Sequence, residues 1–250
     1  MTSEVYILCE GFHDRAFWKG LLLHWQCKDP TNEGSVRVCD PWNKGVGQGQ
    51  YAFKSPSGKF IRLVPVRGSR ALLHTQFRSR LDKRRIEALD ALIVSGDADS
   101  ESDADCDHLS LPIVHQWARE VDADATQEGP CIFASDRTPA TSLVWKTATA
   151  ESRAGVPTKQ TLERVLCLAM ADVYPQRAQP VEDWLASRPE PPEVASPKAH
   201  AFSYVAGWYA ASSSYEGAIA SAWRDKRIAE SLMRILNAQD EWAAIKGFLS

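Results

Sequence analysis

The nine residues Ala91-Leu92-Ile93-Val94-Ser95-Gly96-Asp97-Ala98-Asp99 constrain this chain more than any other stretch. An apolar run that stops at two carboxylates one residue apart reads as a buried strand delivering Asp97 and Asp99 to its carboxyl end. Residues i and i+2 of an extended segment point the same way, so both side chains face one spot if the backbone stays extended. Two like charges held at one spot require a cation.

A matching half lies at the amino terminus. Val5-Tyr6-Ile7-Leu8-Cys9 is a second short apolar run, followed at once by Glu10-Gly11 and then by Asp14. Gly11 permits a tight turn into a helix. In open α/β sheets the ligand crevice lies outside the carboxyl ends of adjacent parallel strands, where Glu10, Asp97 and Asp99 would converge. Hard oxygen ligands from a few carboxylates suit Mg²⁺ or Mn²⁺ better than zinc.

A strand ending in Glu10-Gly11 with Asp14 four residues on, then a later strand ending in Asp97-x-Asp99, resembles a Toprim domain. That family includes topoisomerases, primases, ribosomal-RNA maturases and nucleases of the overcoming-lysogenisation-defect type. The resemblance covers roughly the first half of the chain. It implies a small α/β sheet with a Mg²⁺-dependent site for breaking or making phosphodiester bonds. Stand-alone Toprim proteins and the nucleases often follow the sheet with Leu-Glu at a helix start and a lysine opening a later helix, matched here by Leu162-Glu163 and Lys198. The resemblance therefore implies that Glu163 binds a second metal and that Lys198 neutralises charge at the scissile phosphate. A helix-start charge explains Glu163 equally, and a solvated cation explains Lys198.

The formal net charge of −3 neither supports nor excludes a nucleic-acid partner, because positive charge concentrated on one face would suffice. No apolar run approaches the roughly 18–20 residues that span a bilayer, and the amino terminus lacks a signal-peptide layout. The expectation is a cytoplasmic protein without a membrane partner. Cys9, Cys27, Cys39, Cys106, Cys131 and Cys167 form no Cys-x-x-Cys pair, so buried free thiols are expected. Cys106-Asp107-His108 would need two more ligands to hold zinc.

After Gly11, Phe17, Leu21 and Trp25 recur four apart with Trp18 and Leu22 beside them, which predicts an amphipathic helix packed on the sheet. Asp14 near its start is either a helix-terminus charge or a ligand of a second ion. Residues 28–58, with Pro30, Pro41, Pro56 and the series Gly45-x-Gly47-x-Gly49, read as an inserted hairpin or loop. Those glycines neither follow a strong strand nor open a helix, as a phosphate-cradling fingerprint requires. Phe60 to Val66 reads as the next strand, and Ser69 as the N-cap of a helix carrying Leu72, Leu73, Phe77 and Leu81. Arg67 and Arg70 at that helix start are candidate phosphate ligands. Arg78, Arg80, Lys83, Arg84 and Arg85 form either a solvated face or a surface that tracks a nucleic-acid backbone.

Beyond Asp99 the acids Glu101, Asp103, Asp105 and Asp107 read as a solvated loop. A helix near Leu111 to Val121 and a strand at Cys131 to Ala134 complete the sheet. Helical spacing then marks Thr158 to Met170, Ala199 to Tyr209 and Ile219 to Leu236, with a proline-rich stretch from Pro175 to Pro197.

The expected fold is α/β: an open, mainly parallel Toprim-like sheet flanked by helices over 1–135, with the 28–58 insertion, and a mainly helical cap over 136–250. The expected activity is metal-dependent hydrolysis of nucleic acid, DNA ahead of RNA, within a larger system of phage defence or repair. In it Glu10, Asp97 and Asp99 hold Mg²⁺, while Asp14 and Glu163 serve a second ion. A strand-passing topoisomerase needs a catalytic tyrosine on a separate domain and a longer chain. The non-enzymatic alternative is a Toprim-like subunit that docks on an ATPase partner, since this chain has no Gly-x-x-x-x-Gly-Lys-Ser/Thr loop.

Overall fold

The apolar run at 91–96 lies in β4 (Leu89–Asp97), which is buried from Ala91 through Gly96. A computed structural model describes residues 4–30, 49–100, 109–148, 152–187 and 215–250. Burial of both faces explains why β4 reads as continuous hydrophobicity rather than alternation, as strands in the parallel centre of a covered sheet do. Its neighbour β1 (Glu4–Cys9) is buried from Val5 to Cys9 for the same reason.

The other strands are β2 (Tyr51–Lys54), β3 (Phe60–Pro65), β5 (Thr126–Glu128), β6 (Cys131–Phe133) and β7 (Pro139–Trp145). Together they form one seven-stranded open sheet in the order β2-β3-β1-β4-β7-β6-β5. β1 runs parallel to both β3 and β4, with Cys9 opposite Pro65 on one side and Ser95 on the other. The wings are antiparallel, β2 on β3 and β5-β6-β7 in succession. The fold class is thus α/β, an open sheet with a parallel centre and flanking helices.

Helices α1 (Phe12–His24), α2 (Arg70–Asp82) and α3 (Leu111–Arg119) alternate with these strands. Phe17, Trp18, Leu21 and Leu22 of α1, and Leu73, Phe77 and Leu81 of α2, are buried at the spacing the sequence displays. Ser69 caps α2 by accepting the Leu72 N–H.

Carboxyl-terminal to the sheet come α4 (Leu162–Val173), a 3-10 turn (Pro175–Arg177), α5 (Ala178–Ala186), α6 (Tyr215–Ala222), α7 (Lys226–Asn237) and α8 (Asp240–Leu249). The described residues divide into two compact units. One takes in those up to Gly96, 109–144 and 240–250, and the other those of 97–100, 145–148, 152–187 and 215–239. α8 belongs to the sheet unit, where Trp242 lies 6.0 Å from Trp18 and 5.7 Å from Trp25, ring centre to ring centre.

Three expectations change. The sheet does not stop at Ser135, because β7 carries it to Trp145. Its residues Thr141 and Ser142 are buried, which disguised a core strand as a polar segment. Within the 28–58 region, Lys28 and β2 belong to the sheet edge: β2 pairs with β3 across the turn after Lys54, and Lys28 bridges Lys54. Ile219 to Leu236 is two helices, parted before the Asp225 cap of α7. Gly45, Gly47, Cys39, Asp103, Asp105, Cys106-Asp107-His108, Lys198 and the helix expected at 199–209 lie outside the described residues. Cys9, Cys27, Cys131 and Cys167 are buried free thiols. Among the described residues no helix is long and apolar enough to cross a membrane.

Much of the basic run at 78–85 ties the sheet unit together. Arg84 reaches the buried Asp122 at 2.6 Å and the more exposed Asp136 at 3.0 Å. Burial alone would raise the Asp136 carboxyl, but hydrogen bonds from Arg84, Thr138 and Arg85 outweigh it and hold the group down at about 2. Asp122 is lowered too, first by the Ser135 N–H it accepts. A lowered folded-state pKa stabilises the fold above the unfolded value of about 4, and that contribution is lost as pH falls towards 2. Arg84→Ala is therefore expected to cost about 3 kcal/mol at pH 7 by leaving the Asp122 carboxylate underpaired. In urea unfolding, the gap between wild type and variant should narrow as pH falls below about 4.

Candidate functional site

In the sheet unit, the backbone of Glu10 is held on both sides. Its N–H donates to the Ser95 carbonyl at 2.9 Å, continuing the β1–β4 pairing by one residue. Its carbonyl accepts the Gly68 N–H at 2.5 Å, which pins the turn between β3 and α2 beside it. Ser95 is fully buried and accepts the Trp18 indole N–H at 2.8 Å through its hydroxyl. The Glu10 carboxylate lies directly over Gly96, so close that a Cβ on Gly96 would fall 2.5 Å from Oε2.

Asp14 is buried at α1, where it accepts the Gly11 N–H at 2.9 Å. That half of a capping box favours the helix-terminus role for this carboxylate over the second-ion role.

The turn beside Glu10 has two consecutive left-handed residues, Arg67 at φ 69° and Gly68 at φ 72°. Arg67 and Arg70 are exposed. Among the described residues neither of them, nor Lys83, has an ion-pair partner, whereas the rest of the basic run is engaged. Arg78 pairs with Glu120 at 3.2 Å, Arg80 with Glu87 at 2.8 Å and Arg85 with Asp136 at 3.2 Å. A guanidinium committed to a carboxylate is a poor phosphate ligand, so of the expected nucleic-acid surface Arg67, Arg70 and Lys83 remain the available cations.

In the second unit, Asp97 and the start of α4 are built around each other. Asp97 Oδ1 accepts the N–H of Leu162, the first residue of that helix, at 2.8 Å. Thr161 caps the helix by accepting the Arg164 N–H. An anion at this end is favoured by the exposed N–H groups and the helix dipole. Glu163, in the same first turn, is only 4 % exposed. The helix start is anchored from beneath: buried Arg164 donates to Thr147 Oγ1 at 2.8 Å and to the Pro157 carbonyl at 2.6 Å. Gln160 accepts the Thr147 N–H at 2.9 Å.

Asp99 departs from expectation. The strand ends at Asp97, and Asp99 sits at φ 59°, in the left-handed region, so the extended geometry that would align the two side chains is broken. Backbone bonds hold it there, Asp99 N–H to the Gln160 carbonyl at 3.0 Å and Gln160 N–H to the Ser100 carbonyl at 2.8 Å. The Asp99 carboxylate pairs with Lys159 at 2.7 Å. Asp97 and Asp99 thus take different partners.

Sequence reasoning missed Tyr215. Burial, and then the charges of Glu163, Cys167 and Asp97, push its hydroxyl far above the ordinary tyrosine range. Its place against α4 is a tertiary feature with no local sequence signal.

Among the described residues no three His, Cys, Asp or Glu side chains gather into a metal cage. Mg²⁺ is commonly held by one or two carboxylates with waters and substrate phosphate completing the shell, and an Asp97–Glu163 donor set of hard oxygens fits that mode rather than zinc.

No family model matches the chain, and no curated protein matches it in sequence. Its fold is similar to the crystal structure of a hypothetical protein from Pyrococcus horikoshii OT3, at 15% identity and TM-score 0.70, covering 100% of both chains. That likeness concerns the fold.

Because Asp97 supports α4 through one acceptor oxygen, its replacements should separate structure from charge. Asp97→Ala is expected to cost about 1–2 kcal/mol in chemical denaturation by orphaning the Leu162 N–H, while Asp97→Asn, which keeps an acceptor, costs less than half of that.

Proposed function

We propose that this protein hydrolyses phosphodiester bonds in nucleic acid with a divalent cation, Mg²⁺ or Mn²⁺, as cofactor. The observation that carries the proposal is the pairing of Asp97 with the first turn of α4, which also carries the buried Glu163. A divalent cation would oppose the repulsion between two such carboxylates.

In this proposal Asp97 and Glu163 hold the cation. A carboxylate has about four lone-pair sites, so the bond from Leu162 leaves Asp97 with further acceptor capacity. The cation would polarise a phosphoryl oxygen and lower the pKa of the attacking water. Glu10, whose carboxylate rests on Gly96 within the sheet unit, keeps in this proposal the catalytic role that the Toprim resemblance implies for it. Arg67 and Arg70, exposed at the turn pinned to the Glu10 carbonyl, are assigned to the substrate phosphates. Lys198 retains its proposed role of neutralising charge at the scissile phosphate. Asp99 is assigned no ligand role, since Lys159 holds it.

A second proposal, a Toprim-like subunit that acts only with a protein partner such as an ATPase, is supported by the commitment of Arg78, Arg80, Arg84 and Arg85 to ion pairs. Few cations then remain in this part of the chain to hold nucleic acid unaided.

Cleavage of single- and double-stranded DNA and RNA in Mg²⁺ or Mn²⁺ tests both. Glu10→Gln, Asp97→Asn and Glu163→Gln should each slow cleavage by about two orders of magnitude, the scale of losing one electrostatic stabiliser. Cleavage untouched by all three would end the hydrolase proposal. Inactivity of the pure chain, relieved by a co-purifying protein, is the outcome the second proposal expects.

A further inference from the structure

Along the carboxyl edge of the sheet unit, aromatic rings and cations alternate. Tyr51 opens β2 opposite Leu63, near the end of β3, so it stands at the same edge as Glu10. Phe12 opens α1 just after the Glu10-Gly11 turn. The two rings share one cation: the Arg15 guanidinium carbon lies 4.7 Å from the Phe12 ring centre and 4.8 Å from that of Tyr51. Lys19 Nζ stands 4.4 Å from the Tyr51 ring centre and donates to its hydroxyl at 3.3 Å. At the other end of the row, the Gly68 N–H ties the turn that bears Arg67 and Arg70 to the Glu10 carbonyl. Every one of these residues belongs to the same compact unit.

Exposure sorts this row into a base and a surface. Arg15 is 3% exposed and donates to the Gly49 carbonyl, so it is the fixed support shared by both rings. Phe12 and Tyr51 are half-buried, whereas Phe17 and Phe53, on the same two elements, are core residues. Two half-exposed rings set over a buried guanidinium are oriented before any ligand arrives, which spares the cost of ordering them. Arg67 and Arg70 are exposed, Lys19 is half-buried, and among the described residues none of the three is in an ion pair. The acids of this stretch are Glu10 and Asp14, and Asp14 is buried on the Gly11 N–H.

We infer that this edge is a platform for single-stranded nucleic acid, with bases stacking on Tyr51 and Phe12 and the flanking phosphates meeting Lys19, Arg67 and Arg70. The inference rests on the proposal that nucleic acid is the substrate, and it deepens that proposal by naming the strand state. Ring faces interleaved with cations suit unstacked bases on a charged backbone. In a duplex the bases stack on one another and offer the rings nothing, so the cations alone would act there. Lys19 lies over Tyr51 on a long stem, and an arriving base moves it from the ring to the adjoining phosphate.

Fluorescence anisotropy in EDTA, where a metal-dependent reaction is silent, tests this with three labelled probes of one length: a single-stranded DNA, a strand of abasic sugar-phosphate units, and a duplex. Wild type should bind the single strand about tenfold or more tighter than the abasic strand, the scale of base stacking on an aromatic ring. Tyr51→Leu should lose that advantage and bind the abasic strand as wild type does, while Tyr51→Phe keeps it. Arg70→Gln should weaken binding of all three probes and flatten the dependence on salt.

Equal loss by Tyr51→Leu on the based and abasic strands overturns the inference, because the ring would then act through the fold. Unchanged binding in Tyr51→Leu overturns it too, as does a wild type that prefers the duplex. Each of these leaves the hydrolase proposal standing if Mg²⁺ or Mn²⁺ still supports cleavage. A wild type that binds none of the three probes removes both. The expected binding pattern without cleavage in either metal supports the platform and removes the hydrolase proposal alone.

Discussion

The hydrogen bond from the Glu10 N–H to the Ser95 carbonyl is the join on which the sheet unit depends at its carboxyl edge. Buried backbone groups must be paired, and this bond extends the parallel β1–β4 ladder to its last residue. At the same residue, the Glu10 carbonyl takes the Gly68 N–H and draws in the turn from β3. Three stretches far apart in the chain are therefore fixed around a single acidic residue. Trp18 seals the arrangement from α1 by occupying the Ser95 hydroxyl.

Charge in this protein serves architecture more than its sequence implies. Arg84 joins Asp122 and Asp136, Asp14 closes the start of α1, Lys159 holds Asp99, and Arg62 makes a two-pronged bond to Glu4 while itself 6% exposed. The Arg84, Asp14 and Arg62 arrangements satisfy buried or half-buried charges that would otherwise carry a desolvation cost, while the Lys159–Asp99 pair is exposed. The groups left over are informative by contrast. Arg67 and Arg70 stand exposed at the turn beside Glu10, and Glu163 is buried in the first turn of α4 with Asp97 on the preceding N–H. Those residues carry the functional proposal, because they place acids and exposed cations at the ends of elements.

The polar network beneath α4 shows why a helix start can be placed so definitely. Thr161, Gln160 and Arg164 are all buried, and each is hydrogen-bonded within that unit. A satisfied buried network tolerates little displacement, since moving one member orphans the next. The Leu162 N–H that meets Asp97 is held by this network rather than by the helix alone.

By itself the sequence determined the elements whose signal is local. The apolar runs of β1, β3 and β4, the helical periodicity of α1, α2 and α4 and the Ser69 cap are all visible in residue order, because burial on two faces or on one stripe dictates composition. It also marked Glu10, Asp97 and Glu163 as acids at element ends. Tertiary structure alone decided the rest. β7 went unseen because Thr141 and Ser142 are buried polar residues within it, and β2 because four residues at a sheet edge carry little pattern. The divergence of Asp99 from Asp97 depends on backbone bonds to Gln160, a residue from a distant segment, which override the local tendency to remain extended. Likewise the partners of Arg78, Arg80, Arg84 and Arg85, the place of Tyr215 and the crowding at Gly96 are set by which segments meet in space. No local pattern encodes such meetings, since each depends on distances between residues that chain order keeps apart.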